Sequence, residues 1–77
     1  MTYGEAIDAV VHRGMRACRD HVSWERSGSF IAATKDQFGT HVYLFNHGNP
    51  FPHGTPYTGA SVFYDWASVS ATDWKAW

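Results

Sequence analysis

Histidines are the side chains of this sequence best suited to metal chemistry, and three of the five lie in one stretch as His41, His47 and His53. A catalytic zinc site needs three converging protein ligands, commonly an i, i+4 pair on a helix or residues on closely spaced strand ends. These histidines have neither spacing, and no carboxylate lies near them in the sequence to fix a ring tautomer. We therefore expect no metal site, and nothing in the sequence indicates a cofactor.

Nucleophiles and acid–base pairs are similarly sparse. Cys18 is the single cysteine, so no intramolecular disulfide can form, and a lone cysteine in a strand is more often a small buried hydrophobe than a nucleophile. Asp65 and Asp73 could act as paired carboxylates, but they belong to different predicted elements and nothing fixes their separation. The sequence has no phosphate-binding loop, Gly-x-Ser-x-Gly turn or His-Glu-x-x-His motif. We expect a protein that is not an enzyme.

Aromatic side chains are the remaining candidates, since they make up 17% of the 77 residues and include four tryptophans. The predicted helix and strands already supply aromatic residues for the core of so small a domain: Tyr3, Phe30, Phe45 and Phe63. Trp24 lies instead in the polar segment DHVSWERSG, between Arg19 and Arg26. There its ring could stack on a base while the arginines meet phosphates. The alternative, which the spacing leaves open, is that Trp24 folds back over the sheet edge.

The N-terminal segment predicts the one helix of the fold, from about Tyr3 to Arg13. Thr2 and Glu5 have the spacing of a capping box, in which each side chain accepts a hydrogen bond from the backbone of the other. Apolar residues follow at i, i+4, i+7 and i+8 from Tyr3, which is the stripe of an amphipathic helix. Gly14 then suits the left-handed residue that ends many helices.

The segments after Gly14 predict an antiparallel sheet. Five runs indicate strands: MRACR, GSFIAAT, THVYLFNH, SVFYDWA and DWKAW. KDQFG joins the second and third as a hairpin, and SVSAT is predicted to be a tight turn before the last. In SVFYDWA, Tyr64 and Trp66 share one face. Residues 48–60 hold all three prolines and form a long irregular loop, which in a compact domain is usually functional or mobile.

The predicted fold class is α+β: one N-terminal helix packed on a small antiparallel sheet, in a single domain spanning residues 1–77. A domain this short buries only about 60–65% of the surface that its unfolded chain exposes, so its core is marginal. Apolar residues lie on both faces of THVYLFNH, which suggests that both faces are covered. Because no disulfide or metal supports the core, we expect a homo-oligomer, a dimer or a tetramer.

Charge and hydropathy exclude several classes of partner. The net charge is −1, from six basic and seven acidic residues scattered along the chain, whereas a nucleic-acid polymer is bound by a concentrated basic surface. No apolar run approaches the ~20 residues that span a bilayer, and MTYGEAIDAV lacks the basic start of a signal peptide. A single unpaired thiol fits a reducing cytosol. We expect no membrane or nucleic-acid partner.

The two ends of the chain resemble the second Thoeris anti-defence family, a group of small phage proteins. TYGEAIDAVVHRGMRACR looks like the family's opening helix, an aromatic-x-Glu-Ala-aliphatic pattern followed by Gly, a basic stretch, Arg and Trp. Arg19 and Trp24 are the matching Arg and Trp, with two residues inserted, and WERSG keeps the Trp-to-Gly spacing. SVSATDW is similar to the Asp-x-x-Ala-x-Asp-Trp ending at Ala71, Asp73 and Trp74, with Ser for the first Asp. The match covers about the first 28 and last 12 residues.

The resemblance implies a nucleotide sponge. Members of the family are dimers, often paired into tetramers, that hold a cyclised isomer of ADP-ribose intact in pockets between subunits, so that the defence effector is never activated. Some relatives look able to hold cyclic di- or trinucleotides. We expect the same in the cytoplasm of the infected bacterial host. The expected ligand-binding residues are Trp24, Arg19, Tyr64, Trp66, Asp73 and Trp74. Trp66 should face ligand or partner, Trp74 should anchor the C-terminal turn beside the pocket, and Trp77 should be mostly packing.

Two other functions stay open. A small structural or interaction protein could use exposed aromatic side chains to bind a protein partner. A carbohydrate-binding module would instead present coplanar rings on one sheet face, with no arginine nearby.

Overall fold

The computed structural model of the chain describes residues 1–57 and 66–77. Tyr64, Asp65 and most of the predicted strand SVFYDWA lie outside these residues. The described part forms three helices and five strands: α1 Tyr3–Arg13, β1 Ala17–Arg19, α2 Val22–Ser27, β2 Phe30–Asp36, β3 Gly39–Phe45, β4 Thr55–Pro56, α3 Trp66–Ser70 and β5 Trp74–Ala76. The strands make one antiparallel sheet in the order β4-β3-β2-β1-β5. The α+β class expected from the sequence is confirmed.

Helix α1 has the predicted bounds and the predicted cap. The Thr2 backbone N–H donates to Glu5 Oε1 at 2.9 Å, and the Glu5 N–H donates to Thr2 Oγ1 at 3.2 Å. Gly14 ends the helix with a φ of 64°. The buried side is formed by Ala6, Ala9 and Val10, with the larger apolar residues of the predicted stripe at its margin. Small alanines at these positions let the helix axis approach the sheet closely.

Strands β2 and β3 form the predicted hairpin, which is the longest pairing in the sheet. Its register runs from Phe30 opposite Phe45 to Asp36 opposite Gly39. The turn is held by a hydrogen bond of 2.7 Å from the Phe38 N–H to Asp36 Oδ1. The Phe38 ring is 81% exposed at the tip of the hairpin.

The two faces of the sheet are covered in different ways. Helix α1 packs on the face that carries Ile31 and Leu44 and contributes to one buried cluster. On the opposite face, the rings of Phe30 and Phe45 stack with centroids 5.2 Å apart. Phe51 packs on Phe45 at 5.2 Å. We refer to the rings of Phe30, Phe45, Phe51 and Trp77 as the aromatic face.

Strand β1 is short but central, because it joins the hairpin to the end of the described chain. It pairs with β2 at Ala17 opposite Ile31, and with β5 at Cys18 opposite Lys75 and Arg19 opposite Trp74. Residues more than 50 positions apart in sequence are therefore direct neighbours in the sheet.

Two predicted loops are helices. DHVSWERSG contains α2, which begins after His21, whose Nδ1 accepts a hydrogen bond from the Ser23 N–H at 3.2 Å, and ends at Gly28 with a φ of 62°. SVSAT is not a tight turn, because its first three residues complete α3, which also takes Trp66 out of the predicted strand. For α2, local capping by the His21 side chain and by Gly28 overrides a composition that is typical of a loop. Within residues 1–57 and 66–77, no helix is long and apolar enough to cross a membrane.

Candidate functional site

A pocket of about 340 Å³ lies between α2 and the adjoining parts of β1, β2 and β5, and we call it the α2 pocket. It is lined by Cys18, Arg19, Asp20, His21, Trp24, Glu25, Gly28, Ser29, Phe30, Lys75 and Trp77. Its walls therefore combine aromatic rings with side chains of both charges. The pocket is more polar than most small-molecule sites, which are mostly apolar with a few placed polar groups, so it suits a charged or strongly polar ligand.

The connection from β1 through α2 to β2 shapes one side of this pocket. The Asp20 N–H donates to the Asp73 carbonyl at 2.8 Å, which holds the start of the connection against the segment before β5. His21 then caps α2 through Nδ1. Because Nδ1 accepts a hydrogen bond, the neutral ring carries its proton on Nε2. His21 can therefore offer an Nε2–H donor on the rim of the pocket.

Arg19 and Asp73, both predicted ligand-binding residues, are paired with each other. Arg19 Nε lies 2.9 Å from Asp73 Oδ1, and Nη2 lies 3.1 Å from Oδ2. The Arg19 hydrogen bonds hold the pKa of the Asp73 carboxyl below its ordinary value. This bidentate arrangement ties β1 to the residue that precedes β5. Both groups thus already hold a partner, and Asp73 is not among the residues that line the α2 pocket.

Trp24 and Trp74 lie in the core. Each is 2% exposed, and their rings meet edge to face with centroids 5.2 Å apart. Trp74 Nε1 also donates to the Ser68 carbonyl at 2.8 Å. The expectation that Trp24 lies among polar neighbours is wrong, because α2 turns this ring inward. Trp24 borders the α2 pocket but presents no open ring face for stacking in a single chain.

The other two tryptophans are exposed. Trp66, at the start of α3, is 80% exposed, and its role in facing a ligand or a partner stays a prediction. Trp77 is 55% exposed and lines the α2 pocket, so it does more than pack. Its ring meets Phe30 edge to face at 6.3 Å. The interplanar angles of 61° for this pair and 70° for Trp24 with Trp74 differ from the coplanar platform of a sugar-binding site.

Sequence reasoning missed Lys75, Trp77 and Phe30 as pocket residues. The signal was present in DWKAW, where strict alternation places Trp74 and Ala76 on one face and Lys75 and Trp77 on the other. Lys75 Nζ lies 3.9 Å from Asp20 Oδ1, and both side chains are more than half exposed. An ion pair of that length and exposure is weak, so the Lys75 ammonium is available to an anionic ligand.

Cys18 is a poor nucleophile although it lines the pocket. Burial raises the pKa of its thiol, so the protonated form dominates at neutral pH. The three histidines also lie apart. His41 pairs with Asp36 at 3.2 Å, His47 packs on Gly28, and His53 lines a separate pocket of about 380 Å³ beside Tyr43. No cluster of three or more potential metal ligands occurs in residues 1–57 and 66–77.

Comparisons with known proteins add no relative to this picture. The chain matches no protein-family model, no curated protein and no solved structure. The resemblance to the anti-defence family therefore rests on the quoted residues alone, and the function must be argued from the α2 pocket.

Proposed function

We propose that this chain is a binding protein that takes up a cyclic nucleotide signal and holds it unchanged, with part of the ligand in the α2 pocket. The observation that carries the proposal is that one pocket is lined by the exposed ring of Trp77, the partly buried ring of Phe30 and the ammonium of Lys75. A nucleotide base stacks on aromatic rings, and its phosphates bind cations. The resemblance to the Thoeris anti-defence family supports the same ligand class.

The size of the pocket limits how much of the ligand it can hold. Ligand pockets commonly measure about 300–1,000 Å³, and the α2 pocket, at about 340 Å³, lies at the lower end. It fits one base or one ribose phosphate better than a whole cyclic dinucleotide. We therefore propose that a second copy of the chain covers the rest of the ligand. Trp66, 80% exposed, is the predicted ligand residue best placed to serve that copy.

The paired residues have a supporting role in this proposal. Arg19 and Asp73 fix β1 against β5, so that Lys75 and Trp77 keep their positions. Trp24 and Trp74 fill the core behind them. Tyr64, the remaining predicted ligand residue, lies outside the described residues.

The protonation states of Cys18 and Asp73 support the proposal that the ligand is held without turnover. A protonated Cys18 does not attack a phosphate or a glycosidic carbon, and the lowered pKa of Asp73 keeps that carboxyl ionised in its pair with Arg19. Acting as a sponge in the cytoplasm of an infected bacterium requires only that the complex outlives the immune response.

The experiment combines a binding panel with recovery of the ligand. The purified protein is mixed with cyclic ADP-ribose isomers, cyclic dinucleotides and linear ADP-ribose, and its melting temperature is measured with each. The complex is then heated, and the released nucleotide is analysed by chromatography. We expect at least one cyclic nucleotide to raise the melting temperature and to return unchanged. A panel with no shift, or a ligand recovered as product, contradicts the proposal.

A matched pair of variants locates the site. Trp77→Ala removes a 55% exposed ring from the pocket, whereas Phe38→Ala removes an 81% exposed ring from the hairpin tip. We expect Trp77→Ala to weaken binding by about 1–3 kcal/mol, roughly five- to a hundred-fold in Kd. Phe38→Ala should leave the Kd unchanged. Equal effects of the two variants would place the ligand elsewhere.

The exposed rings also favour a second candidate, a protein that binds another protein. Trp66 and Phe38 are each at least 80% exposed, and exposed large aromatic residues are typical of protein interfaces. This candidate predicts no response to any nucleotide. It also predicts that Trp66 fluorescence shifts only when a partner protein is added.

A further inference from the structure

The Arg16 side chain contacts two rings of the aromatic face. Its guanidinium carbon lies over the Phe30 ring at 5.0 Å from the centroid and over the Phe51 ring at 5.1 Å. The backbone of Arg16 is fixed as well, because it exchanges two hydrogen bonds of 2.9 Å with the backbone of Trp77. Two rings thus lie close to the guanidinium, and two backbone hydrogen bonds hold the residue that carries it.

No carboxylate pairs with Arg16 within residues 1–57 and 66–77. Arg19, in contrast, donates two N–H groups to the Asp73 carboxylate. Arg16 is also exposed, so its charge is accessible from solvent. Within residues 1–57 and 66–77, the hydrogen-bonding capacity of this exposed guanidinium is therefore unused.

The Arg16 guanidinium donates no hydrogen bond within residues 1–57 and 66–77, so its N–H edge is the surface open to a new partner. That edge carries five donors in a fixed fork, which matches the paired oxygens of a carboxylate or a phosphate. The rings also restrict the rotamers of the side chain, so less conformational entropy is lost when an anion binds.

We propose that Arg16, clamped by Phe30 and Phe51, is an oxyanion-binding site. It takes a carboxylate or phosphate group through two parallel N–H donors, with the apolar part of the ligand over the exposed rings of Phe51 and Trp77. Arg16 and Phe51 do not line the α2 pocket, whereas Phe30 and Trp77 do, so the two sites adjoin each other along these shared rings. It stands on its own contacts and does not depend on the proposed nucleotide function.

The test is an NMR titration of the full chain that follows the side-chain Nε–H signals of its arginines. Inorganic phosphate and acetate are added separately at constant ionic strength. We expect a saturable shift of the Arg16 signal with at least one anion, and only small, linear shifts of Arg13, which has no ring partner among residues 1–57 and 66–77. A response to phosphate alone assigns a phosphate ligand, and a response to acetate alone assigns a carboxylate. Absence of saturation with both anions, or equal responses of Arg16 and Arg13, overturns the proposal.

Variants separate binding from a purely structural clamp. Arg16→Lys keeps the charge but loses the fork, and we expect it to weaken anion binding roughly three- to tenfold, as for the loss of about one hydrogen bond. Phe51→Leu removes one wall and should also weaken binding, while Lys35→Met at an exposed position of the β2–β3 hairpin should leave it unchanged. If Arg16→Lys binds the anion as tightly as the parent chain, the fork has no role. The titration of the parent chain decides the proposal even where a variant fails to fold.

Discussion

Replacing Trp24 by alanine tests whether this ring belongs to the core or to the ligand site. The side chain is 2% exposed and contacts Trp74 edge to face. A buried tryptophan removes about 150–250 Å² from water, which at about 25 cal/mol per Å² amounts to roughly 4–6 kcal/mol. Large-to-small substitutions of buried aromatic residues cost about 3–5 kcal/mol. We therefore expect a loss of about 4 kcal/mol.

This loss is large relative to the stability of the whole domain. At 0.05–0.15 kcal/mol per residue, a chain of 77 residues has a free energy of unfolding of about 4–12 kcal/mol. Trp24→Ala should then be marginally folded or unfolded at 25 °C. Trp24→Phe should be less destabilised, because it keeps most of the apolar surface. A double-mutant cycle with Trp74→Phe should show a coupling of about 0.5–1.5 kcal/mol for the ring pair.

The assay is urea denaturation followed by far-ultraviolet circular dichroism, which does not depend on the fluorescence of the mutated residue. Trp66→Ala is the matched control, because that ring is 80% exposed and its removal should change the free energy of unfolding by no more than about 0.5 kcal/mol. If Trp24→Ala loses less than about 1 kcal/mol of stability and nevertheless abolishes ligand binding, Trp24 is a stacking platform. The assignment of this ring to the core would then be refuted.

Three further predictions concern stability and reactivity. Gly28→Ala should cost more than Gly14→Ala by denaturation, because both have φ near 60° but only a Cβ at Gly28 would meet the His47 ring, at 2.6 Å; equal costs would show that the ring moves aside freely. Asp73 has a lowered pKa in the fold, so its ion pair stabilises the protein above pH ~4, and this stabilisation is lost as pH falls through the folded pKa. Asp73→Asn should therefore reduce the loss in free energy of unfolding that the protein shows as the pH is lowered. Cys18, with its raised pKa, should react with iodoacetamide at pH 7 far more slowly than in urea, and equal rates would show an accessible thiolate.

The sequence predicts the elements whose signals are local. The start of α1 is predicted by the capping box of Thr2 and Glu5, and its end is predicted by Gly14. The alternation of apolar and polar residues on either side of KDQFG predicts the β2–β3 hairpin. The helix α2 was missed because its cap is a histidine and its composition is polar. Neither feature is visible in a hydropathy pattern. The burial of Trp24, the one buried ring of α2, depends on its contact with Trp74, which is distant in the sequence.

The candidate site was less predictable because it depends on contacts between distant segments. Arg19 and Asp73 were predicted as ligand-binding residues, and their sequence separation gives no hint that they bind each other. Lys75 and Trp77 reach the pocket only because β5 pairs with β1 in one register. Sequence patterns identify which face of a strand a residue occupies, whereas the neighbouring strand decides what that face adjoins.

The central position of β1 also couples pocket formation to the completion of folding. The β2–β3 hairpin can form early because its partners are close in the chain, but β5 joins β1 across a loop of more than 50 residues. Closing so long a loop costs entropy before its contacts repay it, so β5 docks late. Lys75 and Trp77 arrive with that strand, and the α2 pocket does not exist in any partly folded form that lacks it. An occupant of the pocket therefore binds only the completed fold, and by mass action it slows or prevents the unfolding of the entire domain.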